Sequence, residues 1–219
     1  MNRAEAKKMI EDGAVTESLL KDILREHGVS TPRGLVTKSL PERLDLKFPV
    51  VLKISDPNIL HKTEVGGVKV GIPGPEELKA EFREMSAKFP GKDFLIEEMI
   101  DSGVEVIIGV LRDPNFGHVL MLGMGGIYTE LYHDVAFRLL PITRIDAAEM
   151  IESVGISRFV EGFRNRKISK AELEKLLMDI SGIVEEIGSG IKQLDLNPVI
   201  LSERSAVVAD AKLISGGTD

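Results

Sequence analysis

A pair of oxygen donors faces each other across the hairpin predicted near the end of this 219-residue chain. Its two strands run from Gln193 to Ile200 and from Ala206 to Ile214. If the turn centres on Glu203-Arg204, Asn197 lies directly opposite Asp210. Opposed side chains have Cβ atoms about 4.5 to 5.5 Å apart, so an amide and a carboxylate oxygen could share one Mg²⁺ ion, with phosphates and water completing its octahedron.

The same register pairs Asp195 with Lys212, and Asp195 shares the face of Asn197 because side chains alternate along a strand. A solvated polar face on an edge hairpin is the alternative interpretation, since Pro198 interrupts the hydrogen-bond ladder. The pair by itself leaves both interpretations open.

Lys53 interrupts the apolar run Pro49–Ile54, which predicts a buried strand. A charge there is costly to bury without a partner, and a bound polyphosphate would be such a partner. The alternative is a lysine that extends from the strand end into solvent. The following loop ends at Gly66 and Gly67, whose N–H groups can approach an anion closely, although many glycine turns bind nothing.

His61 lies in that loop among residues of both charges. A neutral imidazole nitrogen near a γ-phosphoryl group is a competent nucleophile at neutral pH, with lysine and Mg²⁺ stabilising the transferred charge. An ordinary surface histidine is the alternative.

Acidic residues mark the end of one predicted strand and the start of the next. Glu97 and Glu98 precede Met99 and Ile100, and Glu105 opens the following strand. The carboxylates can hydrogen-bond ribose hydroxyls or an adenine amino group, while free backbone groups at Met99 and Ile100 can contact the base edge. As isolated features, the three glutamates are equally consistent with ordinary surface residues.

Short helices and strands must position these residues. A helix is predicted from Thr16 to His27 on the basis of one apolar stripe, with Gly28 ending it, and a loop containing Pro32 and Pro41 follows. Further helices are predicted at Pro75–Lys88, at the capping pair Asp146/Glu149 and at the capping pair Ser169/Glu172. The other predicted strands are Gly67–Ile72, Phe94–Met99, Glu105–Leu111 and His118–Gly123, the last two forming a hairpin.

This order of elements indicates an α+β class with mainly antiparallel sheets, because hairpins interleave with helices without a regular βαβ period. A Rossmann domain is excluded, since Gly123-Met-Gly-Gly126 lacks the dinucleotide fingerprint.

Composition narrows the class of protein further. A chain of this length accommodates one large domain or two lobes, and 43% hydrophobic residues exclude a disordered class. The net charge of −7 argues against nucleic acid or an anionic membrane as the main partner. No cysteine is present, and the start has neither the apolar core of a signal peptide nor a membrane span, so we expect a cytoplasmic protein.

Together these segments resemble a known family, the ATP-grasp β subunit of ADP-forming acyl-CoA (acetyl-CoA) synthetases, which are related to succinyl-CoA synthetase. The resemblance runs from about Leu19 to Ile214. The motifs that carry it are, in order, FPVVLKISDPNILHKTEVGGVKVGI, LIEEMIDSGVEVIIGVLRDPNFG, GMGGIYTELYHDVAFRLLPI, EGFR, LDLNPVI and VVADAKL.

The resemblance implies an ATP-grasp fold, in which two α+β lobes grip ATP between two sheets. The first lobe would span residues 14–98, and the second would span 99–219 with 1–13 packed on it. Implied nucleotide contacts are Lys53, Gly66, Gly67, Glu97, Glu98, Met99, Ile100 and Glu105. Implied Mg²⁺ ligands are Asn197 and Asp210, in agreement with the hairpin register, and His61 matches the histidine that relays a phosphoryl group between the α subunit's phosphohistidine and ADP.

The resemblance also implies a partner. Where succinyl-CoA synthetase has a glycine-arginine-rich loop, this chain has His61-Lys62-Thr63, which favours the acyl-CoA synthetase branch. We expect a CoA-binding α subunit on a separate chain, with ATP or ADP and Mg²⁺ bound by this one. A self-contained ATP-grasp carboxylate ligase and a non-catalytic ATP-binding module remain the alternative functions.

Overall fold

The computed structural model describes residues 8–10, 12–13, 15–59, 61–100, 102–125 and 134–216, arranged in two compact units. The smaller unit comprises Thr16–Ser18 and Pro32–Asp101, and the larger comprises Met1–Val15, Leu19–Thr31 and Ser102–Asp219. Helix α1, Glu17–Glu26, therefore has its first two residues in the smaller unit and the rest in the larger one.

The smaller unit is a four-stranded antiparallel sheet with one helix. Its core contains the Phe82 and Phe94 rings, in an edge-to-face contact with centroids 5.1 Å apart. The strand order is β1-β4-β2-β3. The elements are β1 (Gly34–Thr37), β2 (Val50–Ser55), β3 (Val68–Ile72), helix α2 (Pro75–Lys88) and β4 (Asp93–Glu98).

The predicted strands and the helix of this unit are confirmed to within one residue at each end. One strand was predicted as loop: β1, which follows Pro32 and pairs with β4 at the edge of the sheet. Its four residues alternate between exposed and half-buried, so it carries too little apolar pattern to be recognised from the sequence.

The larger unit is a six-stranded antiparallel sheet with helices packed on one face. Its order is β10-β8-β5-β6-β7, and β9 also pairs with β8. The strands are β5 (Val104–Asp113), β6 (Gly117–Met124), β7 (Val135–Leu139), β8 (Ile191–Leu201), β9 (Ala206–Val208) and β10 (Ala211–Ser215). The helices besides α1 are α3 (Arg144–Ser153), α4 (Ser157–Glu161) and α5 (Lys170–Ile187), the last followed by the 3₁₀ turn Gly188–Gly190.

Helix capping agrees with the sequence at α5 and differs at α3. The Ser169 hydroxyl accepts the Glu172 N–H, as predicted. The predicted cap at Asp146 is wrong, because Thr143 is the N-cap and Asp146 is its reciprocal partner in the capping box. In this Thr-x-x-Asp pattern, each side chain accepts the backbone N–H of the other residue. The helix therefore begins about one turn before the predicted cap.

The division into units differs from the predicted lobes. Residues Leu19–Thr31 group with the larger unit because Leu20, Ile23 and Leu24 lie in its hydrophobic core. Residues 126–133, which include Gly126, Glu130 and His133, lie outside the described part of the chain, as do most of residues 1–13. No helix in the described part is long and apolar enough to cross a membrane.

Candidate functional site

The register of the last hairpin is as predicted. Lys212 pairs with Asp195 and Leu213 with Leu194. Asn197 lies opposite Asp210, and its N–H donates to the Asp210 carbonyl oxygen over 3.2 Å. The two predicted oxygen donors therefore meet across the hairpin.

Burial shows which face carries these donors. Leu194 and Leu196 are buried in the core of the larger unit, as Ala211 and Leu213 are on the partner strand. Asn197 is exposed and Asp195 and Asp210 are half-buried, as expected for side chains on the opposite face.

The hairpin has one strand at the edge of the sheet, β10, and one strand inside it, β8. β8 runs between β5 and β10, and Pro198 sits in a bulge where the pairing shifts between Val106 and Ile108. A proline without an N–H is tolerated at a bulge, and bulges redirect neighbouring side chains. The Pro198 carbonyl still accepts the Ala209 N–H over 3.0 Å.

The donor set fits Mg²⁺, which prefers oxygen ligands and keeps several water or phosphate ligands. The Asp210 carboxylate is oriented by the Ala211 N–H, 2.9 Å from its Oδ1. Across the described residues, no three His, Cys, Asp or Glu side chains converge, so a cation here needs ligands from its substrate or from water. Burial raises the pKa of the neighbouring Asp195, and the Lys212 charge partly opposes that rise.

Lys53 lies in a buried cluster of charges within the smaller unit. Its Nζ lies 2.5 Å from Glu17 Oε1 and 3.3 Å from Glu97 Oε2, and the lysine side chain is 7% exposed. The alternative of a lysine that extends into solvent is wrong. The lysine charge is balanced by two carboxylates of its own unit, so burial does not require a bound phosphate.

The two glutamates at the end of β4, Glu97 and Glu98, are not ordinary surface residues. Glu97 is buried beside Lys53, and Glu98 Oε1 accepts the Lys47 N–H over 3.0 Å and lies 3.6 Å from Arg33 Nη1. The Met99 N–H, predicted to be free for a base edge, donates to the Pro49 carbonyl oxygen over 3.0 Å.

Ile100, the last residue of the predicted hinge, is half-buried, and Glu105 at the start of β5 is exposed. Glu105 pairs with Ile200 of β8, and its carbonyl oxygen accepts the Gly125 N–H over 2.8 Å. The Glu105 carboxylate is thus accessible, as a nucleotide contact requires.

The N–H groups of Gly66 and Gly67 donate to carbonyl oxygens of their own loop. This finding corrects the prediction that these N–H groups bind phosphate. The Gly66 N–H donates to Thr63 O over 3.0 Å and the Gly67 N–H donates to Lys62 O over 2.7 Å. Gly66 has a φ of 63°, and a Cβ on Gly67 would lie 2.7 Å from Ile54 Cγ2. These glycines are needed for the shape of the loop.

His61 stands at the start of this turn with its side chain 65% exposed. Its Nδ1 lies 3.3 Å from the carboxylate of Glu64, whose side chain is 77% exposed. The position is open to a reacting group, as a phosphoryl carrier requires.

Two charged residues that hold these groups in place, Glu17 and Lys21, were missed from the sequence. Glu17 pairs with both Lys53 and Lys62. Lys21, fully buried, donates to the Ala209 carbonyl oxygen over 2.8 Å and so fixes the residue before Asp210. The available signal was their spacing on α1, because Glu17 and Lys21 share one stripe with the buried Leu20 and Leu24.

The family follows from comparison with known proteins. The model of the ATP-grasp domain matches residues 5–214. The chain is an ATP-grasp protein. The predicted α+β ATP-grasp fold is thereby confirmed.

Comparison with named relatives shows to which group of ATP-grasp proteins this chain belongs. It is 36% identical to the β subunit of acetate–CoA ligase II (ADP-forming) from Pyrococcus furiosus, over 98% of this chain and 100% of that subunit. It belongs to the family of such β subunits, a name that implies a partner subunit. It is also 35% identical to acetate–CoA ligase II (ADP-forming) from Archaeoglobus fulgidus, over 90% of this chain but only 29% of that longer protein.

A solved structure has the same fold. An acetyl-coenzyme A synthetase 1 from Candidatus Korarchaeum cryptofilum, in complex with coenzyme A and Mg-AMPPCP, superposes on this ATP-grasp protein with a TM-score of 0.82 and 34% identity. The match covers 95% of this chain and 97% of that one. In that complex the phosphohistidine segment points towards the nucleotide binding site.

Proposed function

We propose that this chain is the nucleotide-binding β subunit of an ADP-forming acyl-CoA synthetase and acts with a CoA-binding α subunit in the cytoplasm. The reaction is acyl-CoA + ADP + phosphate ⇌ carboxylate + CoA + ATP. The observation that carries the proposal is a match over the whole length of a named β subunit, in a chain whose His61 is exposed. The separate α subunit in this proposal rests on the β-subunit name of the Pyrococcus relative, whose whole length this chain covers.

Lys53 binds the phosphates in this proposal. Its ammonium is held between Glu17 and Glu97, so it is already desolvated and oriented when the nucleotide arrives. Gly66 and Gly67 keep the adjoining loop in shape and free of side chains.

Glu97 to Ile100 and Glu105 form the proposed contacts to base and ribose. A base contact by Met99 uses its carbonyl oxygen, since its N–H is already donated.

His61 is the phosphoryl carrier. Glu64, 3.3 Å from Nδ1, favours the tautomer with the proton on Nδ1, which leaves Nε2 as the nucleophile. In the direction of ATP cleavage, Nε2 attacks the γ-phosphorus, an N–P bond forms, the bond to the bridging oxygen breaks, and ADP leaves. The phosphoryl group then passes to the partner's histidine.

Asn197 and Asp210 would hold Mg²⁺, which supplies positive charge to the phosphates when bound. This chain's contribution is the fixed spacing of the two oxygens. The β8–β10 register, the Ala211 N–H on Asp210 and the Lys21 ammonium on Ala209 all maintain it.

The test is labelling with γ-³²P-ATP and Mg²⁺, with and without the α subunit. We expect an acid-labile, base-stable phosphohistidine that is absent in His61→Ala and present in His27→Ala, whose ring lies at the end of α1 against Ile23 O. Label retained in His61→Ala contradicts the relay.

The same preparation separates the alternative functions. ADP-dependent release of CoA only when the α subunit is added supports the proposal. Turnover without a partner and without His61 indicates a self-contained carboxylate ligase, and ATP binding without any transfer indicates a non-catalytic module.

A further inference from the structure

Glu17 lies at the centre of an ion network that joins two parts of the smaller unit. Its Oε1 contacts Lys53 of β2 at 2.5 Å, and its Oε2 contacts Lys62 in the loop that carries His61. The carboxylate is 2% exposed and Lys62 is 15% exposed, so water screens these ion pairs weakly.

The two lysines depend on Glu17 to different extents. Lys53 has a second carboxylate, Glu97, at 3.3 Å. Glu17 is the one carboxylate that Lys62 pairs with among the residues that the structure describes. Loss of the Glu17 charge therefore leaves Lys53 paired and leaves Lys62 without an anchor.

The ion pair with Glu17 fixes Lys62, and Lys62 in turn fixes the loop to which it belongs. It follows His61 directly, and its carbonyl oxygen accepts the Gly67 N–H that closes the turn. Among the described residues, the one charged contact of His61 itself is the exposed Glu64. The position of the loop is thus fixed at Lys62 rather than at the histidine.

We propose that Glu17 is a positioning residue for phosphoryl transfer. Through its ion pair with Lys62, it holds the His61 loop in place relative to Lys53. The inference rests on the proposed function and adds a residue to it. Glu17 touches neither the histidine nor, in this proposal, the nucleotide. Its effect therefore falls on the rate of transfer and not on nucleotide affinity.

The experiment compares Glu17→Gln and Lys62→Met with wild type, in the complex with the α subunit. The rate of His61 labelling at saturating ATP should fall by about 10- to 100-fold in each variant, the scale expected for a reacting group displaced by about 1 Å. The nucleotide KM should stay within about threefold, because Lys53 keeps Glu97. The double variant should be no slower than the slower single variant.

Two further variants distinguish positioning from general damage. Lys62→Arg should recover most of the labelling rate, since a guanidinium retains the ion pair with Glu17. Lys69→Met removes a lysine of the same unit that pairs with Glu81 and Glu84, and it should label like wild type.

The outcomes separate the two proposals. If wild type forms no phosphohistidine at His61, the proposed function fails. If wild type is labelled and Glu17→Gln is labelled at the same rate, only the role of Glu17 is refuted. A nucleotide KM that rises in parallel with the loss of labelling also refutes it, because that result indicates collapse of the phosphate site.

Discussion

Replacing Lys53 with methionine should destabilise the smaller unit by removing the ammonium that pairs with two buried carboxylates. Glu17 keeps Lys62, whereas Glu97, whose side chain is 2% exposed, loses the ammonium that lies 3.3 Å from its Oε2. Removal of one partner from a buried ion pair costs about 3 to 5 kcal/mol, and we expect the lower end because Glu17 retains a lysine.

Adding Glu97→Gln to Lys53→Met should restore about half of that loss. The carboxamide has the shape of the carboxylate, but a neutral polar group costs far less to bury than a charge. The double variant should thus be more stable than the single variant, although it differs from wild type at two positions.

Guanidinium unfolding, followed by far-ultraviolet circular dichroism and by hydrogen exchange of β2 and β4, measures these differences. For a slope of about 2 kcal/mol per M, a loss of about 3 kcal/mol lowers the midpoint by about 1.5 M. Lys69→Met, which removes a lysine from a more exposed ion pair, is the control and should cost less than about 1 kcal/mol. A Lys53→Met variant that matches this control, or a double variant less stable than the single one, refutes the reasoning.

Two further perturbations test the local structure. Thr143→Ala removes the capping box with Asp146 and should lower the free energy of unfolding by about 1 kcal/mol in chemical denaturation, and an unchanged midpoint would contradict the cap assignment. The Lys92 ammonium and the Asn58 N–H hold the pKa of Asp56 below its ordinary 3.8, so its stabilisation is present above that value and is lost as the pH falls through the lowered pKa. Unfolding midpoints should therefore show wild type more stable than Asp56→Asn at neutral pH and the difference shrinking below about pH 4; a difference independent of pH would exclude this charge effect.

Local chemistry explains why much of the fold was predictable. The cap at Ser169 and the apolar stripe of α5 are patterns within a few residues of each other, and both are confirmed. The β8–β10 register was predictable because Ser202 and Ser205 close the turn with backbone and side-chain hydrogen bonds. A fixed turn determines every pair beyond it until the ladder is interrupted.

Predictions failed where the deciding partner is distant in sequence. The Met99 N–H was expected to be free, but Pro49, fifty residues earlier, supplies its acceptor. The short β1 was assigned as loop, and only pairing with β4 makes it a strand.

The sequence by itself therefore determined the α+β class, the main elements, the family and the opposed pair Asn197 and Asp210. Tertiary structure alone decided that Lys53 is neutralised by Glu17 and Glu97, residues 36 and 44 positions away along the chain. The physical reason is that periodicity and turn chemistry specify short-range geometry, whereas burying a charge requires whichever opposite charge the completed fold brings within reach.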